Sequence, residues 1–154
     1  QFLIDNNIKD KGEYQLTNAL ENMKQKGKIF SIGTVDEWLD CGNKDATVYT
    51  SQRVLEHNKN TCMVNENVDL INSEIIEPCY IANGITIKNS KIGPHVSVDS
   101  CSIIEDSEIS NSIIQSNSTI KNAKLKNSMV GNHTFFDGHK VDQEISIGDF
   151  CEIR

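Results

Sequence analysis

The sequence predicts a mixed chain: a short α/β segment followed by a parallel β-helix of about five coils. Two observations carry this. Beyond residue 60, apolar residues recur at Leu70, Ile81, Ile92, Ile103, Ile114, Leu125, Phe136 and Ile147, a step of eleven residues each time. A second column interleaves at Ile76, Ile87, Val98, Ile109 and Ile120, then slips to Val130. Repetition at a fixed period marks a solenoid. The second observation is what lies between these positions: Asn89-Ser90, Asp99-Ser100, Asn111-Ser112, Asn122-Ala123 and Asn127-Ser128. Asn and Asp tolerate the left-handed backbone that tight corners need. One inward aliphatic per side, three sides per coil, gives about sixteen to eighteen residues per coil and roughly five coils over 70–154. So much Asn, Ser and β-branched residue excludes a long amphipathic helix. An antiparallel sandwich would not need so regular a spacing.

The first sixty residues have other periods. Leu16, Ala19, Leu20 and Met23 form the stripe of an amphipathic helix expected to face a core. Gly27, after the basic turn Lys24-Gln25-Lys26, suits its C-terminal cap. Lys28 to Ile32 and Thr34 to Leu39 read as short strands joined at Gly33. Asn43 or Asp45 can cap a second helix, Ala46 to His57, with Val48, Val54 and Leu55 for packing. The polar run His57-Asn58-Lys59-Asn60 opens a linker. The expected organisation is 1–58, a linker over 59–69, and the β-helix over 70–154.

Composition bounds the function. The 154 residues carry a net charge of −7, which argues against nucleic acid or an anionic membrane surface as a partner. No apolar run is long enough to span a bilayer. The chain opens Gln1-Phe2-Leu3-Ile4, with neither Met nor a signal-peptide pattern, and is expected to be a piece of a longer protein. Cys41, Cys62, Cys79, Cys101 and Cys151 are odd in number and form no Cys-x-x-Cys pair, which suits free thiols in a reducing cytosol. Two Asn-x-Ser/Thr sequons, at Asn117 and Asn132, are read as chance in an Asn-rich chain.

Ile92-Gly93-Pro94-His95-Val96-Ser97-Val98 and Ile147-Gly148-Asp149-Phe150-Cys151-Glu152-Ile153 resemble the hexapeptide repeat of left-handed β-helices. That resemblance implies a fold and says little about function. Chemistry enters upstream. Lys11-Gly12-Glu13-Tyr14-Gln15-Leu16-Thr17 leads into the first amphipathic helix, and Glu37-Trp38-Leu39-Asp40-Cys41-Gly42-Asn43 follows. In this order, these motifs resemble the sugar-phosphate nucleotidyltransferases, most of all the glucose-1-phosphate thymidylyltransferase and mannose-1-phosphate guanylyltransferase branches. In that family the tail of the α/β catalytic domain can be followed by a left-handed β-helix.

The resemblance implies an enzyme that joins a nucleoside triphosphate to a sugar-1-phosphate, giving an NDP-sugar and pyrophosphate. Two anions must meet, so Mg2+ and cationic groups are needed. Carried over residue by residue, the resemblance makes Asp40 a metal ligand and aims Lys11 at the sugar phosphate. Trp38 borders the sugar pocket and Glu13 shapes it. It also implies a cytoplasmic homo-oligomer in which the β-helix serves assembly or regulation. On residue chemistry alone, Asp40 is equally a turn residue, Lys11 a solvated loop cation and Trp38 a core side chain. The family's Gly-rich phosphate loop, Glu-Lys-Pro segment and first metal-binding Asp have no counterpart here. These 154 residues are therefore expected to be inactive alone, with the apolar surface of 1–58 covered by the β-helix or a neighbour. Two alternatives stay open: a β-helix acyltransferase or metal protein using His95, His133 and His139, and a stand-alone β-helix assembly or binding module.

Overall fold

In the computed structural model, residues 1–59 and 63–154 are described. From residue 68 onward the chain winds into a parallel β-helix of about five coils, in keeping with the left-handed β-helix expected. Its three faces are parallel sheets of six, five and five short strands. Successive strands on a face are 16 to 18 residues apart, from Thr119 against Ile103 to Lys124 against Asp142.

Each face contributes one inward column. On the first, Leu70, Ile87, Ile104, Ile120, Phe136 and Ile153 stack in register. On the second the column is Ile75, Ile92, Ile109, Leu125 and Gln143. On the third it is Ile81, Val98, Ile114, Val130 and Ile147. The eleven-residue step thus spans two of the three sides and visits the columns in turn. It misplaces one residue: Ile103 is 40% exposed, and the fully buried Ile104 takes the inward position. Leu70 keeps its column but sits in the first coil, where no strand among the described residues covers it from the other side. Ile76 yields its column to Ile75.

The corners obey the backbone rule. Asn72, Asn89, Asp106 and Asn122 have φ of 47–50° where the first face turns into the second. His95, Asn111 and Asn127 do the same at the next corner, and Cys101, Asn117, His133 and Phe150 at the third, so the positive φ expected at Asp99-Ser100 falls on Cys101 and the rule for Asn and Asp holds best at the first two corners. Buried and half-buried serines tie the coils together. The hydroxyl oxygens of Ser73, Ser90 and Ser107 accept the backbone N–H of Ser90, Ser107 and Ala123 at 3.0–3.1 Å. Corner amides that the strands leave unpaired are thereby satisfied.

Upstream, α1 covers Phe2–Asp5, α2 Leu16–Gln25 and α3 Lys44–His57. Gly27 ends α2 as expected: its N–H donates to Lys24 and that of Lys28 to Met23, with φ of 78° at Gly27. The stripe of α2 is not core, however. No residue of α2 is buried, and Leu16 is 74% exposed. The expected strands over 28–32 and 34–39 are also absent. Those residues run without strand pairing, and Ile29, Ile32 and Val35 face solvent. Strands and helix stripes need a partner surface: α1 contacts α2 and buries Leu3, but no described residue covers the rest of the stripe or pairs with 28–39.

The chain divides into two units, Gln1–Trp38 and Leu39–Arg154. The division falls before α3, not at 58, because α3 packs on the third face of the β-helix. Asn43 caps α3 by accepting the Ala46 N–H at 2.9 Å, and Val48 and Leu55 are buried while Val54 is exposed. The Lys44 ammonium donates to the Asn127 carbonyl at 3.0 Å and pairs with Glu144. Ser51 and Ser97 hydroxyls lie 3.2 Å apart. The first part of the expected linker includes residues outside the described ones, and a bridge between Val64 and Ile81 marks where the β-helix begins. Cys41, Cys79, Cys101 and Cys151 are free thiols, and Cys62 lies outside the described residues.

Candidate functional site

Asp40 sits on the loop that feeds α3, and that loop is tied down. Its carboxylate Oδ1 accepts the Cys41 N–H at 2.8 Å, and its carbonyl accepts the Thr50 hydroxyl at 2.6 Å. Thr47 Oγ1 lies 3.3 Å from the Cys41 carbonyl and donates more closely to that of Asn43, at 2.8 Å. Gly42 lets the loop fold over Asp40, since a Cβ there would come within 3.2 Å of Asp40 Oδ2. The sequence named Asp40 but missed Thr50, which holds its carbonyl to α3, and Thr47, which bonds the loop backbone beyond it. Thr at i+7 and i+10 is a signal only once the helix is known to fold back past the loop.

The other end of α3 is held as well. Glu56 Oε1 accepts from His95 Nε2 at 2.6 Å. This hydrogen bond holds the Glu56 carboxyl below its usual range. A carboxyl lowered in the folded state stabilises fully above its unfolded value and stops doing so as pH falls through the folded value. The stability difference between the wild type and Glu56→Gln is therefore expected above about pH 4.3 and to vanish well below it. Urea midpoints across pH 2 to 6 check this; a difference independent of pH would refute it.

Lys11 and Glu13 share one tight turn. Asp10 and Glu13 exchange backbone hydrogen bonds of 2.9 and 3.0 Å, and Lys11 and Gly12 both have positive φ, 50° and 86°. That is the pattern of a type I′ turn, with a non-glycine residue accepting the left-handed position. Both side chains are exposed, and Glu13 Oε2 accepts from Gln15 Nε2 at 3.5 Å. Trp38 is 83% exposed and so is no core side chain in this chain.

The residues test the fit of a divalent ion. Asp40 is exposed, and its Oδ2 accepts no hydrogen bond among the described residues. No group of three or more His, Cys, Asp or Glu among the described residues is placed to hold a metal. Asp40 can therefore offer one carboxylate oxygen to a divalent ion, and the described residues form no closed protein site around it. The histidines do not converge. His95 pairs with Glu56, His133 stacks on Phe150 at 4.9 Å between ring centroids, and His139 lies 3.9 Å from Asp137. The slip at Val130 is a run of sixteen-residue coils, and His139 lies just beyond it on a longer corner with positive φ at His139 and Lys140. No described helix is long and apolar enough to cross a membrane.

No family model matches the sequence. Among curated proteins, the chain is 28% identical over 139 residues to a glucose-1-phosphate thymidylyltransferase of Streptomyces griseus, covering 80% of this chain and 39% of that protein. It is 29% identical over 161 residues to the bifunctional protein GlmU of Latilactobacillus sakei, covering 93% of this chain and 34% of that one. For GlmU of Clostridium botulinum the figures are 27% over 172 residues, 97% and 35%. The chain spans little more than a third of the length of these relatives. Matches over most of the chain, together with the β-helix, fit the C-terminal β-helix part of a sugar nucleotidyltransferase, as the two motifs implied.

Proposed function

We propose that this chain is the C-terminal part of a cytoplasmic sugar-phosphate nucleotidyltransferase. The reaction brings a sugar-1-phosphate oxygen onto the α-phosphorus of a nucleoside triphosphate, breaks the bond to the β-phosphate oxygen and releases pyrophosphate. One observation supports this reading above the others. The Asp40 loop is fastened to α3, and α3 to the β-helix, in a chain that matches nucleotidyltransferases along most of its length. In this reading the β-helix is a rigid footing for a catalytic loop, as precise placement of a charged group requires.

Each residue then has a task. Asp40 offers one carboxylate oxygen toward Mg2+, while its other oxygen and its carbonyl hold the loop. Mg2+, when bound, neutralises charge building up on the phosphates. Lys11, on a turn that leaves its ammonium free to reach outward, neutralises the sugar phosphate, and Glu13 limits the space beside it. Trp38 offers a flat apolar face to a sugar ring. These 154 residues alone are proposed to be inactive, since no phosphate-cradling loop is among them.

The test is pyrophosphate release by the intact protein with Mg2+, each common nucleoside triphosphate and a panel of sugar-1-phosphates. Asp40→Asn is expected to lower kcat/KM about a hundredfold, the scale of losing one charge-stabilising group, with the thermal midpoint unchanged. No release with any pair of substrates, or full activity in Asp40→Asn, would overturn the assignment.

A further inference from the structure

Inside a helix, a threonine hydroxyl ordinarily donates to the carbonyl four residues back. Thr47 does so, to Asn43 at 2.8 Å. Thr50, about one turn further along the same helix, reaches out of it instead. Its hydroxyl donates to the Asp40 carbonyl, ten residues back, at 2.6 Å.

That carbonyl belongs to the peptide unit joining Asp40 to Cys41. The N–H of the same unit donates to Asp40 Oδ1 at 2.8 Å. A peptide unit is planar, so fixing its carbonyl also fixes the direction of its N–H. The N–H in turn sets which way the carboxylate faces, through a hydrogen bond to a charged acceptor. Thr50 thereby holds the carboxylate without touching it. Asp40 is exposed, and on an exposed loop water can serve a backbone carbonyl. Water cannot fix the plane.

The position of Thr50 is set by the β-helix. Beside it, the Ser51 hydroxyl lies 3.2 Å from that of Ser97 on the third face. At the two ends of α3, Lys44 donates to the Asn127 carbonyl at 3.0 Å and Glu56 accepts from His95 at 2.6 Å. A chain of contacts thus starts in the solenoid, passes through one hydroxyl and one peptide plane, and ends at the Asp40 carboxylate.

We propose that Thr50 is a positioning residue for Asp40, aiming its carboxylate through the Asp40–Cys41 peptide plane. This role rests on the reading of Asp40 as the group that meets Mg2+. Mg2+ demands near-ideal geometry from its ligands, so a carboxylate aimed wrongly binds it less well.

The test uses the intact protein with two substitutions. Thr50→Val keeps the shape of the side chain and removes the donor, whereas Thr50→Ser keeps the donor. The first readout is the Mg2+ concentration that gives half-maximal pyrophosphate release. Thr50→Val is expected to raise it about tenfold, the scale of losing the partner of a metal ligand. At saturating Mg2+, the KM of each substrate is expected to stay within about twofold of wild type. Thr50→Ser is expected to bring the Mg2+ requirement back to within about threefold of wild type.

The second readout is hydrogen exchange of the Cys41 amide, which needs neither substrate nor metal. In wild type this amide should exchange at least about tenfold more slowly than in an unstructured peptide of the same sequence. Thr50→Val should remove that protection and Thr50→Ser should keep it. An unprotected Cys41 amide in wild type would overturn the inference with no variant made. So would equal exchange in wild type and Thr50→Val, whatever the activity. A Thr50→Ser as impaired as Thr50→Val would also overturn it, by tracing the loss to the β-branched shape and not to the hydroxyl. If Asp40→Asn is impaired while Thr50→Val needs no more Mg2+ than wild type, this inference fails and the reading of Asp40 stands. Full activity in Asp40→Asn would sink that reading, and with it the role given to Thr50.

Discussion

Gly93→Ala is expected to cost the β-helix about 4 kcal/mol or more, in the exceptional range for a single substitution. Two effects combine. Gly93 has φ of 109°, a backbone conformation that L side chains rarely adopt. A Cβ would also stand 2.0 Å from the Ile76 carbonyl oxygen and 2.8 Å from Cys79 Sγ. Neither side can yield cheaply. The Gly93 N–H donates to Ile109 at 2.8 Å, and the Ile76 N–H donates to Ile92 at 2.8 Å, so both backbones belong to the coil ladder. Cys79 is itself buried and donates to the Ile76 carbonyl. The control is built into the sequence, because Gly148 follows Ile147 as Gly93 follows Ile92. Nothing lies within 4 Å of a Cβ at Gly148, so Gly148→Ala should change stability by less than about 0.5 kcal/mol. Urea unfolding of the two variants decides the matter; similar losses in both would mean that the close approach at Gly93 does not govern stability.

Ile104→Ala is expected to cost about 3 kcal/mol, and Ile103→Ala less than about 1 kcal/mol. Ile104 is fully buried, stacked between Ile87 and Ile120 in the first-face column. Truncating it leaves a cavity that the coils above and below cannot close, because their backbones are fixed by strand pairing. Ile103, its neighbour on the opposite side of the pleat, keeps 40% of its surface in water. Matched denaturation midpoints read the difference. Equal losses, or a larger loss for Ile103→Ala, would reverse the assignment of inside and outside at this coil.

That pair shows where sequence reasoning stops. The repeat, its three-sided coil and its left-handed corners are legible because each depends on residues close together: an aliphatic every five or six positions, and Asn or Asp where φ must be positive. The facing of one strand is less legible, since the coil from Ile87 to Ile104 takes seventeen residues and one of sixteen, like the coil from Ile104 to Ile120, would have turned Ile103 inward. The candidate site was legible as residue types. Lys11, Glu13, Trp38 and Asp40 stand in two recognisable motifs, but nothing local says that Thr50 grips the Asp40 backbone. His95 stood out as a candidate base or ligand, and only the packing of α3 showed it bound to Glu56.

The sequence by itself determined that 70–154 is a solenoid, where most of its Asn and Asp corners fall, how α2 ends and which residue caps α3. Caps, turns and periodicity are local, and a few neighbouring residues suffice to choose among them. Tertiary structure alone decided that 28–39 forms no strands, that the stripe of α2 stays largely exposed, and that α3 joins the β-helix. Those outcomes depend on which surface meets which. Strand pairing and burial draw their free energy from partners distant in sequence, so no window along the chain contains them.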